Sequence, residues 1–259
     1  MPQKNNKKLL NLGCGSRYHK DWINIDFVSN NKDILTYDLL KGLPYKDNTF
    51  DVVYHSHLIE HFSKETAINF IKECYRILKF GGVIRITTPN LEEIVKNYTK
   101  YLNQSLQNVK TAEFKYDWTM VEMYDQCVRN FTGGEMGKIY STGNIPNPDF
   151  VYERTGIRIE RKSCSPKIKV NIKNRILKFI FREKFKIYEI GKFRLSGEIH
   201  QWMYDRFSLK RLLVQNKFKD VKICTASESR VPKWNSYNLD INPDGTVYKP
   251  DSIFIEAVK

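Results

Sequence analysis

The chain has 259 residues, 41% of them hydrophobic, with 15 Phe and 15 Tyr, enough apolar surface for a packed core and too much for an intrinsically disordered chain. Its five cysteines (Cys14, Cys74, Cys127, Cys164, Cys224) stand far apart with no C-x-x-C pair; this argues against a disulfide framework and a structural zinc site and fits a reducing cytosol. The net charge is +14, and between Val151 and Asp220 there are 19 Lys and Arg against 7 Asp and Glu, a concentrated field that captures anions or, with no ligand, forms a solvated basic face. Met1 to Lys8 is polar and basic without the apolar stretch of a secretory signal. No run approaches the roughly 20 apolar residues of a spanning helix. The expectation is a soluble, cytoplasmic protein that needs no metal.

Short apolar strands alternate with amphipathic segments over the first ninety residues, the pattern of a parallel sheet with helices on its faces. Leu9 to Leu12 reads as a buried strand that ends in the turn Gly13-Cys14-Gly15-Ser16. Trp22 to Ile25 is a second strand, closing on Asp26; Asp38 to Pro44 is a third element, and Thr49 to Tyr54 another strand. Ser63 to Lys79 has helical periodicity with Ser63 as N-cap, Gly81-Gly82 is expected to end that helix in a left-handed turn, and Val83 to Thr87 is the next strand. Beyond Leu91 the pattern changes. Helices are expected over Asn90 to Tyr101 and within 102–130, and a Gly- and Pro-rich loop over Phe131 to Asn147. Residues 151–171 have no clear period, and a basic amphipathic helix follows over Ile172 to Phe185. Tyr204 to Phe218 reads as a helix, Asp220 to Thr225 and Ser252 to Val258 as strands.

Glycines after a first strand also open the dinucleotide fold, whose fingerprint is G-x-G-x-x-G with an acid about 20 residues onward. Here the turn continues Ser16-Arg17-Tyr18 with no third glycine, and Asp26 comes eleven positions after Gly15. That interval leaves little room for a crossover helix, and the dinucleotide reading loses. A glycine turn, an acid after strand two and an acid before strand four serve an adenosine-containing cofactor.

The segments Leu10 to Gly15, Asn24-Ile25-Asp26, Leu43 to Asp51, His57 to His61 and Leu78 to Asn90, in this order, resemble the small class I S-adenosylmethionine-dependent methyltransferases. In detail the chain is most similar to predicted methyltransferases of bacterial surface-polysaccharide gene clusters. The short interval before Asp26 departs from the wider family and puts its first helix in doubt. The resemblance implies an α/β fold: a Rossmann-like, mostly parallel sheet with an antiparallel last strand, and a helical and loop insertion between strand five and the last helix. Residues 1–91 and 201–259 would form the cofactor domain, and 92–200 a basic insertion that recognises substrate or acts as a lid.

It also implies the cofactor, S-adenosyl-L-methionine, and its contacts. Gly13 and Gly15 let the backbone close on the methionyl part, with Asn11 and Ser16 at the edges. Asp26 accepts from the ribose hydroxyls, Phe27 lies against the adenine, Asp38 accepts from its amino group and the Leu39 N–H reads a ring nitrogen. Cys14 and Ser56 complete the set. The bland alternatives are a structural turn for the glycines and a helix cap for Asp38. A sugar hydroxyl needs a base near neutral pKa, most often His. His57 is the leading candidate and His200 the runner-up. Glu60 orients a histidine or holds a helix start, and His61 packs or touches cofactor.

The expected activity is O-methylation of a sugar in a surface polysaccharide or in its phosphate-bearing precursor. The acceptor is then a small molecule or glycan, anionic by the charge argument. The competing readings are an RNA methyltransferase using the basic insertion, against which no N-P-P-Y or D-P-P-Y motif follows strand four, and a non-catalytic S-adenosylmethionine-binding protein. The helix Ile172 to Phe185 suits a lid or a peripheral contact with the anionic inner face of a membrane.

Overall fold

The computed structural model describes residues 7–143, 145–158 and 182–259. They fall into two compact units, Met1–Glu93 with Arg154–Gly156 and Gln201–Lys259, and Ile94–Glu153 with Ile157–His200. The first unit is built on seven strands: β1 (Leu9–Leu12), β2 (Ile23–Asp26), β3 (Ile34–Thr36), β4 (Phe50–Ser56), β5 (Leu78–Pro89), β6 (Lys219–Cys224) and β7 (Ser252–Val258). They form one sheet in the order β3-β2-β1-β4-β5-β7-β6. The first five strands are parallel, and β7 runs antiparallel between β5 and β6. The sheet is the α/β arrangement the sequence implies. β3, whose Leu35 and Thr36 are exposed, is a three-residue edge strand too short for periodicity to reveal.

The two faces of the sheet are different in kind. One is apolar. Leu10, Leu12, Ile25, Val53, Ile84, Ile86, Ile253 and Ile255 pack beneath α1 (Lys64–Ile77) and the last helix (Arg206–Gln215), which contribute Ala67, Phe70, Ile71, Cys74 and Ile77, and Leu209, Leu212 and Leu213. Both helices start on side-chain caps. The Thr66 N–H donates to Ser63 Oγ (3.1 Å), and Asp205 and Ser208 form a reciprocal capping box.

No helix covers the other face between β1 and β2 or between β2 and β3, because ten residues (13–22) and seven (27–33) are too few for a crossover helix that spans the sheet. The segment after β6 takes that place: Val231, Trp234 and Leu239 pack on Leu9, Trp22, Val52 and Tyr54. A covering loop brings unpaired backbone carbonyls, which must find donors when buried. Arg85, in mid-β5 and fully buried, supplies them. Its Nη1 donates to the Glu228 carbonyl (2.8 Å), and Nη2 to those of Thr225 (3.0 Å) and Ala226 (3.2 Å). Its Nε pairs with Asp240 (2.8 Å) and Nη1 also with Glu256 (2.9 Å), so all five N–H donors are used.

Three expectations are corrected here, and a fourth falls mostly outside the described residues. Residues 131–147 are not all loop: Gly134–Thr142 is a helix, α4. The Asp125 carboxylate, distant in sequence, caps its first turn by accepting from the N–H groups of Glu135 (2.6 Å) and Met136 (3.4 Å). Its Met136, Ile139 and Tyr140 pack around buried Trp118, a tertiary gain that overrides weak local propensity. Gly81-Gly82 does not cap α1. That helix ends at Ile77 because the fully buried Leu78 already pairs with Phe50 of β4, and the glycines form an irregularity inside β5. The aperiodic stretch from 151 begins within a helix, α5 (Pro148–Thr155). Of the basic helix expected over Ile172 to Phe185, residues 172–181 lie outside the described residues; α6 (Arg182–Arg194) continues nine residues beyond Phe185.

The second unit contains most of α2 (Leu91–Leu106), α3 (Ala112–Val128), α4, most of α5, and α6, with a core of Tyr101, Trp118, Ile145, Phe150 and Val151. The last helix of the chain, in the first unit, is α7 (Arg206–Gln215). Among the described residues no helix is long and apolar enough to cross a membrane. The four described cysteines are free thiols.

Asp240 receives Arg85, the Tyr54 hydroxyl (2.6 Å) and the Thr87 hydroxyl (3.1 Å). Asp240→Ala would take from the buried guanidinium one of its two carboxylates and from two buried hydroxyls their acceptor. The expected loss is about 3–5 kcal/mol of unfolding free energy, read as a lower urea midpoint; an unshifted midpoint contradicts this account of the face.

Candidate functional site

Open parallel sheets bind ligands beyond the carboxyl ends of their strands. At the end of β1 the chain turns through two glycines in the left-handed region, Gly13 (φ 62°) and Gly15 (φ 52°). A Cβ on Gly13 would lie 2.8 Å from a methyl of Leu58, so this glycine admits the side chain of the turn after β4. Nothing lies within 4 Å of the Cβ position at Gly15, which leaves its backbone open to a ligand. Asp26, at the end of β2, accepts from the Gly15 N–H (2.7 Å) and the Val28 N–H (3.3 Å), tying the turn to the neighbouring strand while remaining half exposed. Phe27 beside it is 59% exposed, which leaves its ring face open to a planar base.

The remaining residues expected to hold cofactor are placed as follows. Asn11 is buried, and its amide donates to the Arg17 carbonyl (3.0 Å) and Asn24 Oδ1 (3.2 Å); it shapes the turn from beneath. Cys14 points inward, and burial, helped by the charge of Asp26, pushes its thiol up to about 12, so it is unreactive near neutral pH. Ser16 is exposed on the turn. Asp38 caps the short 3-10 turn Leu39–Lys41, accepting from the Leu40 N–H (3.0 Å), the role held as its bland alternative; the Leu39 side chain is in the core. Ser56 is the last residue of β4. Arg17 clasps the turn to the covering segment through the Asn238 carbonyl (3.3 Å), the Asn242 side chain and the Tyr248 ring (3.7 Å).

The cradle fits S-adenosylmethionine on this structure's own terms. It has an open backbone at Gly15, a carboxylate at Asp26 for vicinal hydroxyls, and an uncovered aromatic at Phe27.

His57 follows β4 directly, next to the Leu58 that overlies Gly13. It is a non-glycine residue in the left-handed region (φ 50°), a conformation that persists only when the surroundings fix it. Its N–H is held by the Thr87 carbonyl (2.8 Å). Its Nε2 lies 2.9 Å from Ser252 Oγ, and its Nδ1 lies 3.3 Å from Glu60 Oε1. The ring keeps 19% side-chain exposure while Glu60 keeps 1%. The fold thus brings His57 and Glu60 together with Ser252, 195 positions away, for which the sequence carries no local signal. His61, next to Glu60, accepts the Gln201 amide on its carbonyl (2.8 Å). His200 is buried as the last residue of the second unit, its N–H given to the Gln126 carbonyl (2.9 Å).

A fourth histidine lies beneath the site. His55 of β4 is fully buried against Phe70 (ring centroids 5.3 Å apart) and neither ring nitrogen has a hydrogen-bond partner. Burial disfavours its charged form and lowers its pKa to about 4, although Glu60 pulls the other way.

Part of the first unit is similar in sequence to known proteins. Residues 10–86 match the family described as a methyltransferase domain. Over 51 residues the chain is 41% identical to a "probable S-adenosylmethionine-dependent methyltransferase" of Mycolicibacterium smegmatis, a match that spans 20% of this chain and 19% of that one. Similar solved structures include a SAM-dependent methyltransferase from Archaeoglobus fulgidus (15% identity, TM-score 0.40, 98% of this chain and 86% of that one). Another is a SAM-dependent methyltransferase, "possible histamine N-methyltransferase", from Thermotoga maritima (12% identity, TM-score 0.39, 98% and 82%). The fold and cradle define a Rossmann-like, cofactor-binding α/β unit. Its segment 10–86 is similar to the methyltransferase-domain family, and part of the chain to an S-adenosylmethionine-dependent methyltransferase.

Two outcomes test the site. Asp26→Ala should weaken S-adenosylmethionine binding at least about tenfold by calorimetry, since a charge-assisted bond contributes about 1.5–3 kcal/mol; an unchanged dissociation constant moves the ribose site elsewhere. For His55, the folded value lies below the ordinary 6.5, so between pH 6.5 and about 4 the unfolded chain binds a proton that the folded chain does not. Stability is full above pH 6.5 and falls as pH drops through that window, by on the order of 3 kcal/mol. His55→Leu should remove that part of the acid sensitivity in urea titrations at pH 7.0 and 4.5.

Proposed function

We propose that this chain is an S-adenosylmethionine-dependent methyltransferase that methylates a hydroxyl of a sugar, in a surface polysaccharide or in its phosphate-bearing precursor. The cofactor supplies a methyl group activated on a sulfonium. The residues that would hold it are Gly13 and Gly15 by their backbone, Asp26 by its carboxylate and Phe27 by its ring face, with Asp38 and Leu39 at the adenine end.

The observation that carries the reading is the position of His57. Leu58 packs over Gly13, and His57 is the residue before it, which supports its imidazole as the group nearest the transferred methyl. A hydroxyl oxygen is a poor nucleophile until its proton is removed, and imidazole is the side chain suited to that near neutral pH. Much of the remaining rate enhancement comes from holding the acceptor in line and excluding water. The sugar part of the proposal rests on the resemblance to polysaccharide-cluster enzymes. The anionic part rests on the excess of Lys and Arg between Val151 and Asp220, a field that favours a phosphate-bearing acceptor.

Purified protein incubated with methyl-labelled cofactor and a panel of nucleotide-linked and lipid-linked sugars should label a sugar oxygen. His57→Ala should lower turnover roughly 10²-fold or more with cofactor affinity nearly unchanged. Turnover that survives in His57→Ala and is lost in His200→Ala reassigns the base. Label on RNA alone, with binding that weakens steeply as salt rises, replaces the glycan reading with a nucleic-acid one.

A further inference from the structure

Three side chains from three elements meet at the carboxyl end of the sheet. His57 comes from the turn after β4, Glu60 from the 3-10 turn Ile59–His61, and Ser252 from the start of β7. Glu60 is a carboxylate buried to 1% side-chain exposure, and its surroundings hold it in place. Its Oε2 accepts from the Thr88 hydroxyl (2.9 Å), and its backbone carbonyl accepts from the N–H groups of Gln201 (2.7 Å) and Trp202 (3.2 Å). Its other oxygen, Oε1, is the one that lies 3.3 Å from His57 Nδ1. At that distance the contact is an ion pair and not a hydrogen bond, and the buried carboxylate favours a proton on the nearer ring nitrogen by its charge. The opposite nitrogen, Nε2, then carries the lone pair, and the Ser252 hydroxyl at 2.9 Å donates to it.

We infer that Glu60 and Ser252 are positioning residues that hold the His57 ring with a proton on Nδ1 and its lone pair on Nε2, where an acceptor hydroxyl takes the place of the Ser252 hydroxyl as donor. This rests on the reading of His57 as the base. The arrangement has the order of a nucleophile, base and acid triad, yet the Ser252 N–H, the first donor an oxyanion would require, is given to the Lys249 carbonyl (3.3 Å). Ser252 therefore serves the histidine and is not itself the nucleophile. In methyl transfer the acceptor's O–H bond is exchanged for an O–CH3 bond. The bond from methyl to sulfur breaks with its electron pair left on sulfur, and the proton goes to His57 Nε2. The imidazolium that results faces the Glu60 carboxylate, which stabilises it. Uncapping the carboxylate or turning the ring would leave the base present but misdirected.

The test reads the ring directly. Nitrogen-15 NMR of histidine-labelled protein at pH 8, with His57 assigned by comparison with His57→Ala, should show Nδ1 protonated and Nε2 unprotonated. Ser252→Ala should keep that tautomer, because Glu60 sets it. Glu60→Gln, which offers an amide N–H as well as an oxygen, should mix or reverse the tautomers and lower kcat about 10²-fold or more, with KM for the cofactor little changed. A proton found on Nε2 in the unsubstituted protein overturns the inference without any variant, so it stays testable if Glu60→Gln does not fold. An unchanged tautomer in folded Glu60→Gln also overturns it. The tautomer is independent of the acceptor: an Nδ1 proton in an enzyme whose His57→Ala variant keeps full turnover would uphold the positioning and reject the base.

Discussion

Arg85 is the residue on which the rest of the first unit depends. A guanidinium in the middle of a buried strand carries a large desolvation cost, and burial alone acts to lower its pKa; the carboxylates of Asp240 and Glu256 outweigh this and keep it charged. In return it serves as the internal support of a face that lacks helices. Three backbone carbonyls of the segment after β6 end on its nitrogens, and the Trp234 ring lies 4.4 Å from it. The apolar face needs no such device, because helices satisfy their own backbone and ask only for apolar contact.

This asymmetry follows from the shortness of the β1–β2 connection. A conventional crossover helix would have covered Trp22 and Tyr54. Ten residues instead make a turn that is pinned from below by the Asn11 and Asn24 amides, and from the side by Arg17. The glycine cradle is therefore held by buried polar side chains, which rigidify when fully satisfied. The aromatic contacts of Trp22 with Tyr54, Trp234 and Tyr237 (centroids 6.0, 6.1 and 5.3 Å) fill the space a helix would have taken.

How far the sequence could be read follows from the range of the interactions concerned. β1, β4 and β7, the cap of α1, and the glycine turn were legible because each is fixed within a few residues. The missing first helix was legible too, as a simple matter of length. α4 was not, because its cap is Asp125, ten residues before Glu135, and its apolar face makes sense only against Trp118. Gly81-Gly82 misled because glycine pairs end helices and interrupt strands alike. Arg85 and Glu256 carried a signal that could have been used: a charged residue inside an apolar strand calls for a buried partner, and these two lie opposite each other across β5 and β7. Nothing near Ser252 marks it, since its partner is at the other end of the chain.

That pairing also connects the buried network to the site. Strand register in a sheet is all or nothing, because a slip of one residue turns every side chain to the other face. The antiparallel pairing that sets Arg85 against Glu256 sets Pro89 against Ser252 four residues further along. Thr87 on the same strand gives its hydroxyl to Asp240 and its carbonyl to the His57 N–H, and Thr88 gives its hydroxyl to Glu60. The ion pair inside the sheet thereby fixes where Ser252 and Glu60 meet the imidazole. A left-handed His57 is a strained choice for a turn that had only to connect β4 to α1. It is a reasonable one where two strands, locked by a buried arginine, define a single position for the ring.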